Sequence, residues 1–261
     1  MLMWLAIPTK SVLKKSCSVL GGRLATIAGR RVQKHTDDYF FLVMALLILA
    51  VVFIGFARTY YLAGVFHAKL PSPLVHLHGA LFSCWVLLLI IQITLVAAGR
   101  VNWHMRLGIL GMIVAGLMVL VGFATLIGAV RRHAVFGMSI EALFADDVLQ
   151  LLVFGILVFW AFRVRMDGAA HKRLMILATV ALLGPALGRW PFAFVFSSDL
   201  VFFGILDSFL IFMIAFDLWS PRKVHLATIS GSLLILVMDF TMHPLAHSAF
   251  WHQFTAWVQS R

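Results

Sequence analysis

Between residues 74 and 98, and again between 107 and 130, the chain runs without a single Asp, Glu, Lys or Arg. Each run matches the ~20 apolar residues that a helix needs to cross a hydrocarbon core about 30 Å thick. The link between them, Gly99-Arg-Val-Asn-Trp-His104-Met-Arg106, is short, polar and basic. Two such runs on one short link make a membrane hairpin with its turn in water. Only helices and closed barrels satisfy their backbone polar groups inside lipid, and barrel strands alternate polar and apolar residues. These runs are apolar throughout, so the expected fold class is an all-α integral membrane protein.

The rest of the chain repeats this design. Hydrophobic residues make up 62% of the sequence, charged residues 12%, and the mean hydropathy is +1.01. Seven spans are expected, at about 39–63, 74–98, 107–130, 147–163, 174–190, 199–218 and 225–243. Arg100 and Arg106, then Arg163, Arg165, Lys172 and Arg173, then Arg222 and Lys223 fall in alternate links. They would share one face with the Lys/Arg-rich first 34 residues, while the other face carries fewer, such as Lys69, Arg131, Arg132, Arg189 and Arg261. The excess of basic residues marks the cytoplasmic side, which puts the N-terminus inside and the C-terminus outside. Membrane orientation therefore accounts for the net charge of +11 and leaves no call for a nucleic-acid partner.

The basic links also resemble one another. His104, His171 and His225 each stand where a returning helix begins. One span followed by three hairpins is the topology this implies, with the hairpin as a repeated unit.

Both ends read as peripheral. In residues 1–36, Leu13, Cys17, Leu20, Leu24 and Ile27 form an apolar stripe turned away from lysines and arginines, as in a helix lying on an anionic membrane surface. A transit peptide or an upstream extension from a misplaced start codon would have the same composition. The seven-helix domain is expected at 37–243. An outer interfacial segment follows at 244–261, where Phe250, Trp251, Phe254, Trp257 and Val258 share a helical face. Cys17 and Cys84 are mismatched in setting and are expected to stay reduced and structural. Span three carries Gly111-x-x-x-Ala115 and Ala124-x-x-x-Gly128 with almost no polar side chain, so it reads as a close-packed central helix.

Ionisable side chains within spans are costly, about 2.5–3.5 kcal/mol each at a helix centre on insertion scales, and they face the bundle interior. At 100° per residue, His78 and Gln92 lie about 40° apart in span two, whereas His76 points the other way. Asp146, Asp147 and Gln150 crowd one face of span four. Asp239 and His243 stand one turn apart in span seven on the stripe begun by His225, and His171 and Arg189 share a face of span five. By depth, the outer half collects His78, Asp146, Asp147, Arg189, Asp207, Asp239 and His243. Mutual pairing that fixes helix register, or a ligand, ion or proton site, would each explain that cluster.

His76-x-His78 would converge on one metal only if Pro71 and Pro73 kept the segment unwound. Haem b is a fuller cofactor alternative, held by His78 with His243 on the outer side or by two of His104, His171 and His225 on the inner side. No catalytic constellation is complete: His-Glu-x-x-His, Walker and Gly-x-Ser-x-Gly sequences are all missing, which argues against an enzyme. Three readings follow. The first is a binding or accessory subunit of a membrane complex, with the bilayer and other membrane subunits as partners. The others are a b-type haem or quinone-linked electron carrier and a small-molecule or proton-coupled transporter.

Certain residues also carry a resemblance: Pro73, His76, His78 and Gly79; His104, Arg106, Leu107 and Gly108; His171, Lys172, Arg173 and Leu174; Arg189; and Arg222 with His225. On these, residues 39–257 resemble an uncharacterised family of bacterial multi-pass membrane proteins of about seven spans. The resemblance implies an integral protein of a bacterial inner-membrane type and supplies no reaction.

Overall fold

The computed structural model describes residues 36–68, 72–133, 138–220 and 222–261, and every regular element among them is helical. The amphipathic arm expected at 1–36, with Cys17, lies outside these residues apart from Thr36. The helices are α1 (Thr36–Tyr61), α2 (Pro73–Ala97), α3 (Val101–Arg131), α4 (Ile140–Arg163), α5 (Gly168–Val180), the single turn α6 (Gly184–Leu187), α7 (Asp199–Trp219), α8 (Leu226–Ala246) and α9 (Ala249–Gln259). Six of them, α1–α4, α7 and α8, are long and apolar enough to cross a membrane. Their exposed side chains, such as Leu120, Phe159, Ile211 and Phe240, form the apolar exterior that a bilayer requires.

The chain alternates direction, and cross-contacts show it. At the basic end, Lys172 at the start of α5 pairs with Asp37 at the start of α1. There too the His104 and His171 rings meet edge to face at 6.1 Å. At the opposite end, the Tyr60 hydroxyl donates to the His76 carbonyl at 3.2 Å, the Tyr61 hydroxyl lies 2.7 Å from Ser83 Oγ, and Trp251 Nε1 donates to the Glu141 carbonyl at 2.9 Å. The last turn of α1 widens to a π-helix over Ala57–Tyr61, placing both tyrosines against α2.

The helix starts follow from capping chemistry. Ser139, Asp167, Ser198, His225 and Ser248 each accept a backbone N–H of the turn they precede, satisfying a donor the helix leaves orphaned. The three basic links are not equivalent, however. His104 and His171 are the fourth residues of their helices, while His225 is a cap whose Nδ1 accepts from the Ala227 N–H at 3.1 Å. The hairpins also differ, because α2 packs closely on α3 and α4 on α5, whereas α8 packs chiefly on α4 and α5 rather than on α7.

Two expectations need correction. Span five is not a continuous helix over 174–190: α5 ends at Val180 after 13 residues, and the chain turns through 181–183 into α6. His171 and Arg189 thus do not share a face. Nor is α3 central. Its outer face, including Ile109, Ile113, Leu117 and Leu120, is exposed, and half of the most apolar window of α4 is buried. Lipid is as apolar as a leucine core, so hydropathy does not separate a lipid-facing helix from a buried one. The small residues still serve close packing, since Gly111 lies against Leu88 of α2 and a Cβ on Gly122 would come 2.8 Å from Leu151 of α4.

The interior helix is α5. Arg173, Leu174, Ile176, Leu177, Ala178, Thr179 and Val180 are all buried, a pattern that wraps the whole helix. Its continuation follows α1: Trp190 Nε1 donates to the Val51 carbonyl at 3.1 Å, and a Cβ on Gly55 would sit 2.1 Å from the Ala186 carbonyl oxygen. Helix α9 closes the opposite end over the tips of α3 and α4. Its aromatic face splits, with Trp251 and Val258 turned into a second small core alongside Phe144 and Leu126, and Phe250, Phe254 and Trp257 stacked in an exposed row.

Candidate functional site

The break in the interior helix lines a small cavity. Val180 and Ala181 at the end of α5, Gly184 of α6, Asp146 and Gln150 of α4, and Ile235, Met238 and Asp239 of α8 form its walls with Phe202, Phe203 and Leu206 of α7. About 20 Å³ is open to the centre of a water molecule, room for about one water. Gly184 leaves room for the Gln150 amide, since a Cβ there would lie 2.6 Å from Gln150 Nε2 and press it aside.

The polar groups around the cavity form two sets. Gln150 is 3% exposed; its Nε2 donates to Asp146 Oδ2 at 2.8 Å, which leaves Oε1 buried without a hydrogen-bond partner. Asp239 has Asp207 and Asp146 as its electrostatic neighbours, and Asp207 Oδ1 is also buried and unpartnered. Asp147, one residue from Asp146, has Arg189 within electrostatic reach. Arg189 further donates through Nη1 to the Pro185 carbonyl at 2.6 Å and lies over the Phe56 ring. Among the described residues, Arg189 is a guanidinium beside these acids, with Asp147 as an electrostatic neighbour.

The remaining candidates are placed more loosely. His78 is half-buried, stacks on Phe82 at 4.2 Å between ring centroids, and lies within electrostatic reach of Arg189. His243 is exposed at the end of α8, with Nε2 3.9 Å from Asp199, and Asp146 is the cluster member within its reach. His76 is exposed beside Tyr60.

A second polar site at the basic end was not read from the sequence. Asp217, fully buried near the end of α7, accepts from Arg173 Nε at 3.0 Å, from Thr228 Oγ1 at 2.6 Å and from the His225 N–H at 3.0 Å, and it is ion-paired with the Arg173 guanidinium. Arg173 Nη1 also donates to the Ala169 carbonyl at 2.9 Å. One carboxylate thus ties α5, α7 and α8 together. Arg173 had counted toward orientation and the resemblance but not toward a polar site, yet Asp217 inside an apolar run was itself the signal, since a carboxylate there demands a partner.

The His76-x-His78 metal geometry is not formed. Among the described residues no three His, Cys, Asp or Glu side chains stand together as a metal-binding group. Helix α2 begins at Pro73, with the His76 N–H bonded to the Ser72 carbonyl, so the segment is wound and His76 and His78 diverge. Of the inner histidines, His171 Nδ1 lies 2.9 Å from the Ala161 carbonyl and His225 caps its helix. Compared in turn with protein-family profiles, curated sequences and solved structures, the chain has no match.

Proposed function

We propose that this protein is an ion-coupled membrane carrier whose site lies where its interior helix breaks. The observation that carries the reading is the end of α5 inside the bundle, at a cavity faced by Asp146, Gln150 and Asp239. Discontinuous helices near the bilayer midplane supply transporters with irregular backbone at an ion or substrate site, and buried ionisable groups mark such paths. A packed structural helix has no need of either.

On this reading α5 and α6 make a seventh crossing. The segment follows α1 from Asp37, beside Lys172, to Gly55, beside Ala186, a rise of about 27 Å along α1 and close to the hydrocarbon thickness. The basic end then faces the cytoplasm of a bacterial inner-membrane type, α9 lies on the outer surface, and the Arg173–Asp217 network seals the bundle on the cytoplasmic side. An accessory subunit remains the reading from missing motifs, and no contact described above favours it.

Alternating access is the test. In a Cys17→Ser/Cys84→Ser background, a cysteine replacing Leu206 at the cavity wall is treated with an impermeant maleimide in right-side-out and in inverted vesicles. A carrier is expected to be labelled from both sides, in proportions that change with the ion gradient. A residue labelled from neither side, or from one side under every gradient, rejects the reading.

A further inference from the structure

We propose that the cavity is a binding site for one sodium-sized monovalent cation, ligated by oxygens of Gln150, Asp146 and Asp239. As the coupling ion this rests on the carrier reading, whereas binding itself does not require it.

The lining presents oxygen and almost nothing else that is polar. The amide N–H of Gln150 is already spent on Asp146, so its buried Oε1 is left without a donor. Asp239 stands among carboxylates, with Asp207 and Asp146 as neighbours. Of the nearby positive groups, Arg189 answers Asp147, and His243, exposed beside Asp199, reaches Asp146. The C-terminal end of α5, the negative end of its dipole, abuts the same space through Val180 and Ala181. Helix α6 is a single turn and sets little dipole against it.

Size and charge select the occupant. Room for about one water excludes an organic solute. A neutral water offers two protons to three oxygen-bearing side chains and leaves the negative charge uncompensated. Protonating Asp239 would offer Gln150 Oε1 a donor but leave Asp146 charged. A small cation meets both the orphaned oxygen and the remaining charge. A divalent ion calls for a fuller shell, six to eight oxygens for calcium, and among the described residues no triad of acids is assembled.

The test uses purified full-length protein exchanged into choline chloride, with radioactive sodium binding and the melting temperature measured as sodium replaces choline at constant ionic strength. Saturable binding of about one sodium per chain and a matching rise in melting temperature are expected. Affinity should fall at least tenfold in Gln150→Leu and Asp239→Asn. Gly184→Ala, which presses on the Gln150 amide without removing a ligand, should weaken it less. Wild-type protein that binds no sodium, or that responds to pH alone, overturns the proposal while leaving a proton-coupled carrier standing. Unchanged binding in folded Gln150→Leu and Asp239→Asn overturns the placement. Sodium binding with the Leu206 position accessible from one side only would instead remove the carrier and keep the site.

Discussion

Asp217→Asn probes the best-connected polar group in the bundle. The amide keeps the size of the carboxylate but turns an NH2 toward donors on Arg173, Thr228 or the His225 backbone, and removes the charge opposite Arg173. Each hydrogen bond to a charged group contributes about 1.5–3 kcal/mol, and breaking one side of a buried ion pair costs about 3–5 kcal/mol. Arg173 is itself 3% exposed, so the buried-pair range applies. For a chain of this size the loss corresponds to a fall in melting temperature of roughly 6–20 °C. Near-UV circular dichroism in mild detergent reads it out, since Trp219 stands two residues away. Replacing the whole constellation, Arg173→Met with Asp217→Leu and Thr228→Val, should recover most of the loss, because no buried charge is then left unpaired and only the His225 N–H, at a half-exposed helix start, loses its acceptor. A single variant that loses less than about 1 kcal/mol, or a triple variant no better than the single, would refute the reasoning.

Gly55→Ala should be poorly tolerated, because its Cβ would meet a backbone carbonyl at 2.1 Å, and backbone does not yield as a flexible side chain does. Overpacking costs about 1–3 kcal/mol or more, and separating α6 from α1 should also break the Trp190–Val51 hydrogen bond and shift tryptophan emission; unchanged melting and emission would refute that close approach. Trp251→Phe keeps the ring in its pocket and loses the bond to the Glu141 carbonyl, so a loss of about 1 kcal/mol is expected, read as earlier proteolysis at the C-terminus. Cleavage at the wild-type rate would show that α9 is not held by that bond.

Membrane character and the six long helices were legible because they depend on length and hydrophobicity alone. The alternation of the basic links was legible for the same reason, whereas the helix starts capped by Ser139 and Asp167, ahead of the spans expected at 147 and 174, were not. What sequence could not show was which apolar face meets protein, and this is why α3 read as central when its Ile109–Ile113–Leu117 side is exposed. Span five read as one helix because the 181–190 stretch is still apolar, although Gly184-Pro185 within it was a helix-breaking signal, and Pro185 does open α6; Gly55 and Gly184 then let the bend pack without clashing. Angular arithmetic placed Asp146 with Gln150, which are one turn apart on a single helix. It carried no information about Asp217 and Arg173, 44 residues apart on two helices, or about Gln150 and Gly184 across the break.

The order of synthesis imposes a debt on the interior helix. At 13 residues α5 reaches only about 20 Å, too short to cross a bilayer alone, and it carries Arg173 and an unwound tail with it. The helices that enclose it, α7 and α8, and the carboxylate that answers Arg173 all emerge later from the ribosome. Until they arrive, the segment has no stable position in lipid. With α5–α6 as the proposed seventh crossing, insertion is expected not to proceed one helix at a time: α5–α6 would wait beside α1 and α4 and enter its final place together with α7–α8. A chain stopped after residue 190 would hold its first four helices in the membrane and leave the fifth at the surface.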